Sequence, residues 1–183
     1  MLFTIRDLAD VLKKFFDKKI DFVIIGDTAI QLYMNKNVFE NDVDLFILEP
    51  GIVGYEDLYI EIANENGWSY GTTEVGTPRL VAGTSTGEIV VELYENMLDF
   101  NIPEQILKDA SIVNIEGIEV KILKPEQYLV LKAKQGVDLD KLKRIVKQLN
   151  SLDRKLIKKT LNYIDENERK VIETRLVEAG LEI

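Results

Sequence analysis

The sequence predicts an α+β (α/β) fold, with strands and helices mixed up to about residue 123 and helices alone after it. Short apolar runs that end at glycine indicate strands in the first part, and apolar residues at helical spacing separate them. From Pro125 onward the pattern is helical throughout. We therefore expect an α/β core over residues 1–123 and a helical C-terminal region over residues 124–183 that packs on this core.

The composition is that of a globular protein without membrane spans. Of the 183 residues, 46% are hydrophobic and 30% are charged, and no apolar run approaches the ~20 residues needed to cross a bilayer. The first residues lack the basic start, apolar stretch and cleavage site of a signal peptide. These features predict a cytoplasmic protein without membrane contact.

The chain contains neither cysteine nor histidine. This excludes disulfides, zinc-thiolate sites, cysteine nucleophiles, Ser-His-Asp triads and histidine-ligated metals. Acid-base or metal chemistry must rest on carboxylates, lysines, tyrosines and backbone groups. Sites made only of carboxylates suit hard cations such as Mg²⁺ or Mn²⁺.

The first elements are a helix, a strand and a short second helix. Thr4 and Asp7 have the spacing of a capping box, which predicts an amphipathic helix over residues 5–19. Residues 22–25 (FVII) form an apolar run ending at Gly26, typical of a strand buried on both faces. Residues 28–34 follow as a short helix.

The later elements complete the predicted sheet and its helices. We expect a helix over residues 55–66 and two or three strands between residues 68 and 94, of which 89–94 is the clearest. A short helix begins at Pro103, and residues 112–115 pair with 119–123 across a turn.

Two aspartates lie on one face of the strand around residues 42–48. Alternate residues of a strand point to the same side, so Asp42 and Asp44 project together, with Phe46 and Leu48, opposite Val43, Leu45 and Ile47. Paired carboxylates repel unless a cation bridges them, and they can bracket two ions. The alternative is a solvent-exposed strand face that carries two acids by chance.

Glu92 interrupts the apolar strand 89–94. A buried carboxylate without compensation costs several kcal/mol, so something must neutralise it. A metal shared with Asp42 and Asp44 would do so, and so would a buried partner such as Arg79 or Lys132. A third alternative places Glu92 at the solvent-facing edge of the sheet.

The order of these motifs resembles the nucleotidyltransferase superfamily of polymerase-beta-like minimal enzymes. An apolar strand ends at glycine, a D-x-D strand follows, and a later strand carries a single acid. A further segment resembles the prolyl turn, helix and lysine of the branch that includes AbiEii-type toxins and relatives of aminoglycoside nucleotidyltransferases. The four stretches are residues 23–29 (VIIGDTA), 41–46 (NDVDLF), 89–93 (IVVEL) and 122–132 (ILKPEQYLVLK).

The resemblance implies a nucleotidyltransferase-like mixed β-sheet flanked by helices, and a two-metal enzyme. Asp42 and Asp44 would bind two Mg²⁺ (or Mn²⁺) ions, with Glu92 as third ligand and candidate base. Gly26, Thr28 and Lys132 would contact the nucleotide. The partners implied are a nucleoside triphosphate, an acceptor that is RNA, protein or a small molecule, and, in the toxin-like branch, an antitoxin-like protein.

Two positions depart from the family pattern. Asp27 stands where the family has a second glycine or a serine, so its carboxylate either opposes a triphosphate or caps the following helix. Lys141 replaces the family's acid in a late helix. These departures motivate a competing hypothesis, in which the protein is a catalytically degenerate binding or regulatory module.

Overall fold

The computed structural model describes residues 2–97, 100–149 and 151–183. The strands are β1 (Leu2–Thr4), β2 (Asp21–Ile25), β3 (Val38–Glu40), β4 (Val43–Glu49), β5 (Ser69–Thr72), β6 (Pro78–Gly83), β7 (Glu88–Tyr94), β8 (Ser111–Ile115) and β9 (Ile118–Ile122). The helices are α1 (Ile5–Asp17), α2 (Gly26–Tyr33), α3 (Glu56–Asn66), α4 (Glu104–Lys108), α5 (Pro125–Gln135), α6 (Leu139–Gln148), α7 (Arg154–Asn162) and α8 (Glu166–Glu178). None of the helices in these ranges is long and apolar enough to cross a membrane.

The described chain divides into two compact units. The first contains the described residues of Met1–Asn101 and Ala110–Ile122, and the second contains Ile102–Asp109 and the described residues of Leu123–Ile183. Residues 102–109 belong to the second unit although residues 110–122 return to the first. A hydrogen bond from Gln127 Nε2 on α5 to Ile106 O, 2.8 Å long, ties this segment to the second unit. The boundary predicted after residue 123 stays a prediction.

The first unit is built on a mixed sheet with strand order β5-β6-β7-β4-β2-β9-β8. β4 lies at its centre, parallel to β7 and antiparallel to β2. The residues that fill β2 and β4 are largely buried, as expected for central strands covered on both faces. The predicted α+β fold with a mixed sheet is confirmed.

Helix α1 begins with the predicted capping box. The Thr4 hydroxyl accepts from Asp7 N–H, and the Asp7 carboxylate accepts from Thr4 N–H over 3.0 Å. Asp7 is almost fully buried and also accepts from the hydroxyls of Ser85 (2.9 Å) and Thr86 (2.7 Å) in the β6–β7 turn. One carboxylate therefore caps the helix and ties a distant turn to it.

The pairing of β1 with β3 was not predicted. Phe3 is opposite Phe39, and their buried rings stack with centroids 5.5 Å apart. Each strand has only three residues, too few to show the period of two that identifies a strand in a sequence.

A carboxylate also organises the loop after β4. Glu95, which directly follows β7, accepts from the N–H groups of Ile52 (2.7 Å) and Val53 (3.0 Å). Tyr59 on α3 donates its hydroxyl to Pro50 O over 2.9 Å in the same loop. Because β4 and β7 are parallel, these contacts join the segments that leave the same end of the two strands.

The second unit is helical. Pro125 occupies the first turn of α5, where its missing N–H costs no hydrogen bond. At the other end of α5, Arg175 Nη1 donates to Ala133 O (2.7 Å) and Lys134 O (3.2 Å), which satisfies carbonyls that the helix itself leaves open. Asp109 accepts from Lys159 Nζ and from the Tyr163 hydroxyl.

Candidate functional site

The strand register brings Asp44 and Glu92 side by side. They are direct partners in the parallel pairing of β4 with β7, and Arg79 of β6 is the partner of Glu92 on its other side. On the far side of Asp44, β2 ends with Ile25 as its partner. Directly paired residues project to the same face of a sheet, so Arg79, Glu92 and Asp44 form one row across three strands.

Asp42 lies immediately before β4 and is positioned by helix α2. The Thr28 hydroxyl donates to Asp42 O over 3.3 Å, and Thr28 is fully buried. One turn later, the Gln31 amide accepts from Glu40 N–H (2.9 Å) and donates to Glu40 O (3.1 Å). Two side chains of one helix face thus hold the backbone that carries Asp42.

The backbone of α2 packs against the Asp44 side chain at Gly26. The φ of Gly26 is +63°, and a Cβ placed on it would lie 1.9 Å from Asp44 Oδ2 and 2.9 Å from Asp44 Cγ. Both the backbone conformation and the space therefore require glycine. The first turn of a helix carries the positive end of its dipole, so the Asp44 carboxylate lies where negative charge is favoured.

Glu92 has two partners in this arrangement. Arg79 Nε lies 3.3 Å from Glu92 Oε1, and the Tyr94 hydroxyl donates to Glu92 Oε2 over 2.5 Å. The Glu92 side chain is 20% exposed, so it lies neither in the core nor at an open edge. Of the neutralising partners weighed for Glu92, Arg79 is the one that the structure places beside it.

The charges in this cluster perturb one another. Desolvation raises the pKa of Asp42, the negative charge of Glu92 raises it further, and Arg79 opposes both effects. The pKa of the Tyr94 hydroxyl is also raised, first by burial, then by its hydrogen bond to Glu92 and the charges of Asp44 and Asp42. Burial is therefore the main cause of both shifts, and the neighbouring carboxylates add to it.

The residues fit a hard divalent cation by donor type and by charge. Three carboxylates face one guanidinium, which leaves a formal excess of two negative charges among Asp42, Asp44, Glu92 and Arg79. Carboxylate oxygens are the ligands that Mg²⁺ prefers. As the side chains stand, however, the described residues contain no group of three acids spaced to hold one ion. The two oxygens of Glu92 contact Arg79 and Tyr94 instead.

Aromatic rings flank the carboxylates. Phe46 and Tyr94 are partners in the β4–β7 register, one step along the same face from Asp44 and Glu92. The Phe100 ring lies 5.1 Å from that of Tyr94 and 6.3 Å from that of Phe46. This apolar wall desolvates one side of the cluster, which agrees with the raised pKa of Tyr94.

Asp27 and Lys132, two further positions considered in the sequence, lie in helices α2 and α5. Of the two alternatives for Asp27, the one in which it caps α2 is wrong: the helix begins at Gly26 after the N-cap Ile25. Asp27 lies in the first turn and accepts from Asn41 Nδ2 over 3.1 Å. Lys132 lies in α5 of the second unit, where its side chain is half-buried. A phosphate contact by Lys132 stays a prediction.

Sequence reasoning missed the supporting residues. Gln31 follows Thr28 by three positions, the spacing that places two side chains on one face of a helix. Tyr94 follows Glu92 by two, the spacing of one face of a strand. These periodicities were visible, but the partners of both side chains depend on how distant segments pair.

Comparisons with known proteins point to one class. The family model described as "Nucleotidyl transferase of unknown function (DUF2204)" matches residues 4–178. A sequence search of curated proteins gave no match.

Among solved structures, the chain is similar to an antigenic nucleotidyltransferase-like protein from Paracoccidioides brasiliensis, with a TM-score of 0.64 and 18% identity over 98% of this chain and 91% of that chain. It also aligns with the solution structure of the antibiotic-resistance factor ANT(2'')-Ia, with a TM-score of 0.49 and 12% identity over 95% and 89% of the two chains. The first of these likenesses shows a nucleotidyltransferase-like fold.

Proposed function

This chain belongs to the family of nucleotidyl transferases of unknown function, and we propose that it transfers a nucleoside monophosphate from a nucleoside triphosphate to an acceptor. The observation that carries the proposal is the pairing of Asp44 with Glu92 on adjacent parallel strands, directly against the backbone of Gly26. Asp42, in the segment before β4, is close enough to Glu92 for the charge of Glu92 to raise its pKa. This arrangement combines negative charge for a cation with a glycine turn at a helix start for phosphate.

Asp42 and Asp44 are the proposed ligands of Mg²⁺ or Mn²⁺, with Glu92 as the third ligand. The negative excess among these groups and their oxygen donors support this assignment. Bound divalent cations, two in our proposal, would neutralise the charge of the triphosphate and of the leaving pyrophosphate. Glu92 would have to turn from Arg79 to join the other two carboxylates.

In the proposed reaction the acceptor oxygen forms a bond to the α-phosphorus, and the bond from this phosphorus to the bridging oxygen of the β-phosphate breaks. Pyrophosphate leaves with the electron pair of that bond. The carboxylate of Glu92 takes the proton of the acceptor hydroxyl. Such in-line transfer depends mainly on position and electrostatics, so it needs no histidine.

The remaining residues serve the nucleotide in this proposal. Gly26 lets the backbone approach the triphosphate, and the N–H groups around Thr28 in the first turn of α2 favour anions. The Thr28 hydroxyl holds Asp42 O, so its part is to fix the ligand loop. Lys132 is the proposed phosphate contact from the helical segment.

We propose RNA, a protein or a small molecule as the acceptor. The enzyme would act in the cytoplasm, and it would have an antitoxin-like protein partner if it is a toxin. Incorporation of a radiolabelled nucleotide into each class of acceptor, in separate reactions, would identify it. Labelled acceptor formed only with intact Asp44 would support the proposal.

A second function is favoured by the way Glu92 is held. Because Arg79 and Tyr94 already engage both of its oxygens, the cluster is also consistent with a degenerate module that binds without catalysis. Asp42 and Asp44 would then repel each other without a cation to bridge them. Replacing Asp42 or Asp44 by asparagine would in that case stabilise the fold and leave every ligand response unchanged.

Thermal unfolding with each nucleoside triphosphate, with and without Mg²⁺, distinguishes the two functions. A ligand at 100 times its dissociation constant stabilises by about 2.7 kcal/mol, so binding gives a clear rise in Tm. We expect a rise that requires Mg²⁺ and is lost in Asp44→Asn. The matched control is Asp57→Asn, an exposed acid on α3, which should respond like the wild type. No rise with any nucleotide would refute the transferase proposal.

A further inference from the structure

Arg79 is the positive group that the structure places in the carboxylate row. It is paired with Glu92 across β6 and β7, and Glu92 is in turn paired with Asp44. A sheet register is rigid on the scale of a side chain, so Arg79 stays within reach of this row whichever partner it holds. Any divalent cation that recruits Glu92 must compete with this guanidinium for the same carboxylate.

The ion pair leaves one buried donor of Arg79, its Nε, without a hydrogen-bond partner among the described residues. Its Nε is buried and lies 3.3 Å from Glu92 Oε1, yet no acceptor in the described ranges completes a well-aligned hydrogen bond with it. The side chain as a whole is 41% exposed. A guanidinium has five N–H donors in a planar fork, a geometry that matches a phosphate better than the single contact seen here.

We propose that Arg79 is a nucleotide-phosphate ligand that, in the nucleotide-free protein, is held on Glu92. When nucleotide and cation bind, Arg79 exchanges Glu92 for a phosphate of the triphosphate, and Glu92 becomes available to the cation and to the acceptor. This inference rests on the proposed transferase function. In this exchange the Tyr94 hydroxyl keeps its hydrogen bond to Glu92, which holds the Glu92 side chain in the row while Arg79 leaves it.

The exchange predicts opposite effects on two ligands. In Arg79→Gln, Glu92 loses its competing cation, so Mn²⁺ added alone should bind about five- to ten-fold more tightly than to the wild type. The same substitution removes a charged phosphate contact, so binding of the nucleoside triphosphate in saturating Mg²⁺ should weaken about ten-fold or more. A merely structural arginine would move both affinities in the same direction or neither.

The experiment is calorimetric titration of the whole protein with Mn²⁺ alone and then with ATP, GTP, CTP and UTP in saturating Mg²⁺. Arg6→Gln is the matched control, because it removes an arginine from an exposed ion pair with Glu116 in the same unit and changes the net charge equally. It should titrate like the wild type. Arg79→Lys keeps the charge without the fork, so it should hold Mn²⁺ affinity near the wild-type value and still lose nucleotide affinity.

Each outcome decides the proposal. Tighter Mn²⁺ binding with weaker nucleotide binding in Arg79→Gln supports it, and parallel or absent changes overturn it. If no nucleotide binds the wild-type protein, the transferase function fails and the phosphate role falls with it. The Mn²⁺ titration then still reports whether Arg79 restrains Glu92: a gain in Arg79→Gln supports that restraint, and equal affinities refute it.

Discussion

Replacing Gly26 by alanine tests the geometry at the centre of the site. Alanine at φ +63° costs about 1–2 kcal/mol, because a Cβ in the left-handed region meets its own backbone. The new methyl would also overlap the Asp44 carboxylate, with 1.9 Å to Oδ2, and overpacking of this kind costs about 1–3 kcal/mol. We therefore expect Gly26→Ala to lower the free energy of unfolding by about 2–5 kcal/mol.

Two further variants separate the backbone cost from the steric cost. Gly76 has φ +83° and no atom within 4 Å of an added Cβ, so Gly76→Ala should cost only about 1–2 kcal/mol. In an Asp44→Ala background the overlap with the carboxylate disappears. The loss in free energy of unfolding caused by Gly26→Ala should then be similar to that caused by Gly76→Ala. The double-mutant cycle should therefore give a coupling energy of about 1 kcal/mol or more.

Urea unfolding followed by tryptophan fluorescence is the suitable assay. Trp68, the single tryptophan of the chain, lies in the first unit with its ring 6.4 Å from that of Phe15, so its signal reports on the unit that contains Gly26. The reasoning would be refuted if Gly26→Ala cost no more than Gly76→Ala, or if the cost were the same with and without the Asp44 carboxylate.

Two carboxylates outside the row give further predictions. Burial alone would raise the pKa of Asp7, but its hydrogen bonds from Thr4, Thr86 and Ser85 outweigh it and hold the pKa below the ordinary 3.8. Because the pKa of Asp7 is lower in the folded than in the unfolded protein, its ionised carboxylate stabilises the fold at pH values above the unfolded-state pKa. This stabilisation is lost as the pH falls towards the folded-state pKa. The free energy of unfolding in urea should therefore decrease below about pH 4, and it should decrease less steeply in Asp7→Asn. Glu95→Gln should lower the free energy of unfolding by about 1–2 kcal/mol, since a single amide oxygen replaces a carboxylate that accepts two N–H bonds. Hydrogen exchange of the Ile52 and Val53 amides should accelerate, and unchanged exchange would contradict the role assigned to Glu95.

The nucleotidyltransferase resemblance came from the order of short motifs and is confirmed by the family match over residues 4–178. Helix and strand positions also followed the sequence closely: α1 begins with the predicted capping box, and β2 ends at the predicted glycine. Such features depend on neighbours within a few residues, which a single sequence displays directly. The start of α2 differs by two residues, because Gly26 itself adopts the first helical position.

The setting of Glu92 shows where sequence reasoning stopped. Its position in an apolar strand indicated a need for neutralisation by a metal, Arg79 or Lys132, unless Glu92 faced solvent at the edge of the sheet. Choosing among them required the register of β6 on β7, which places Arg79 opposite Glu92. A one-residue shift in that register would have turned Arg79 to the other face of the sheet.

By itself, then, the sequence determined the class of chemistry and the local elements. The absence of cysteine and histidine limited acid-base and metal chemistry to carboxylates, lysines, tyrosines and backbone groups. The period of two along a strand predicted Asp42 and Asp44 on one face. Tertiary structure alone decided which groups meet: Glu92 beside Asp44, Arg79 on Glu92, and the Gly26 backbone against Asp44. The physical reason is that side-chain direction follows from local backbone geometry, whereas the partners of a side chain follow from the pairing of strands far apart in the chain.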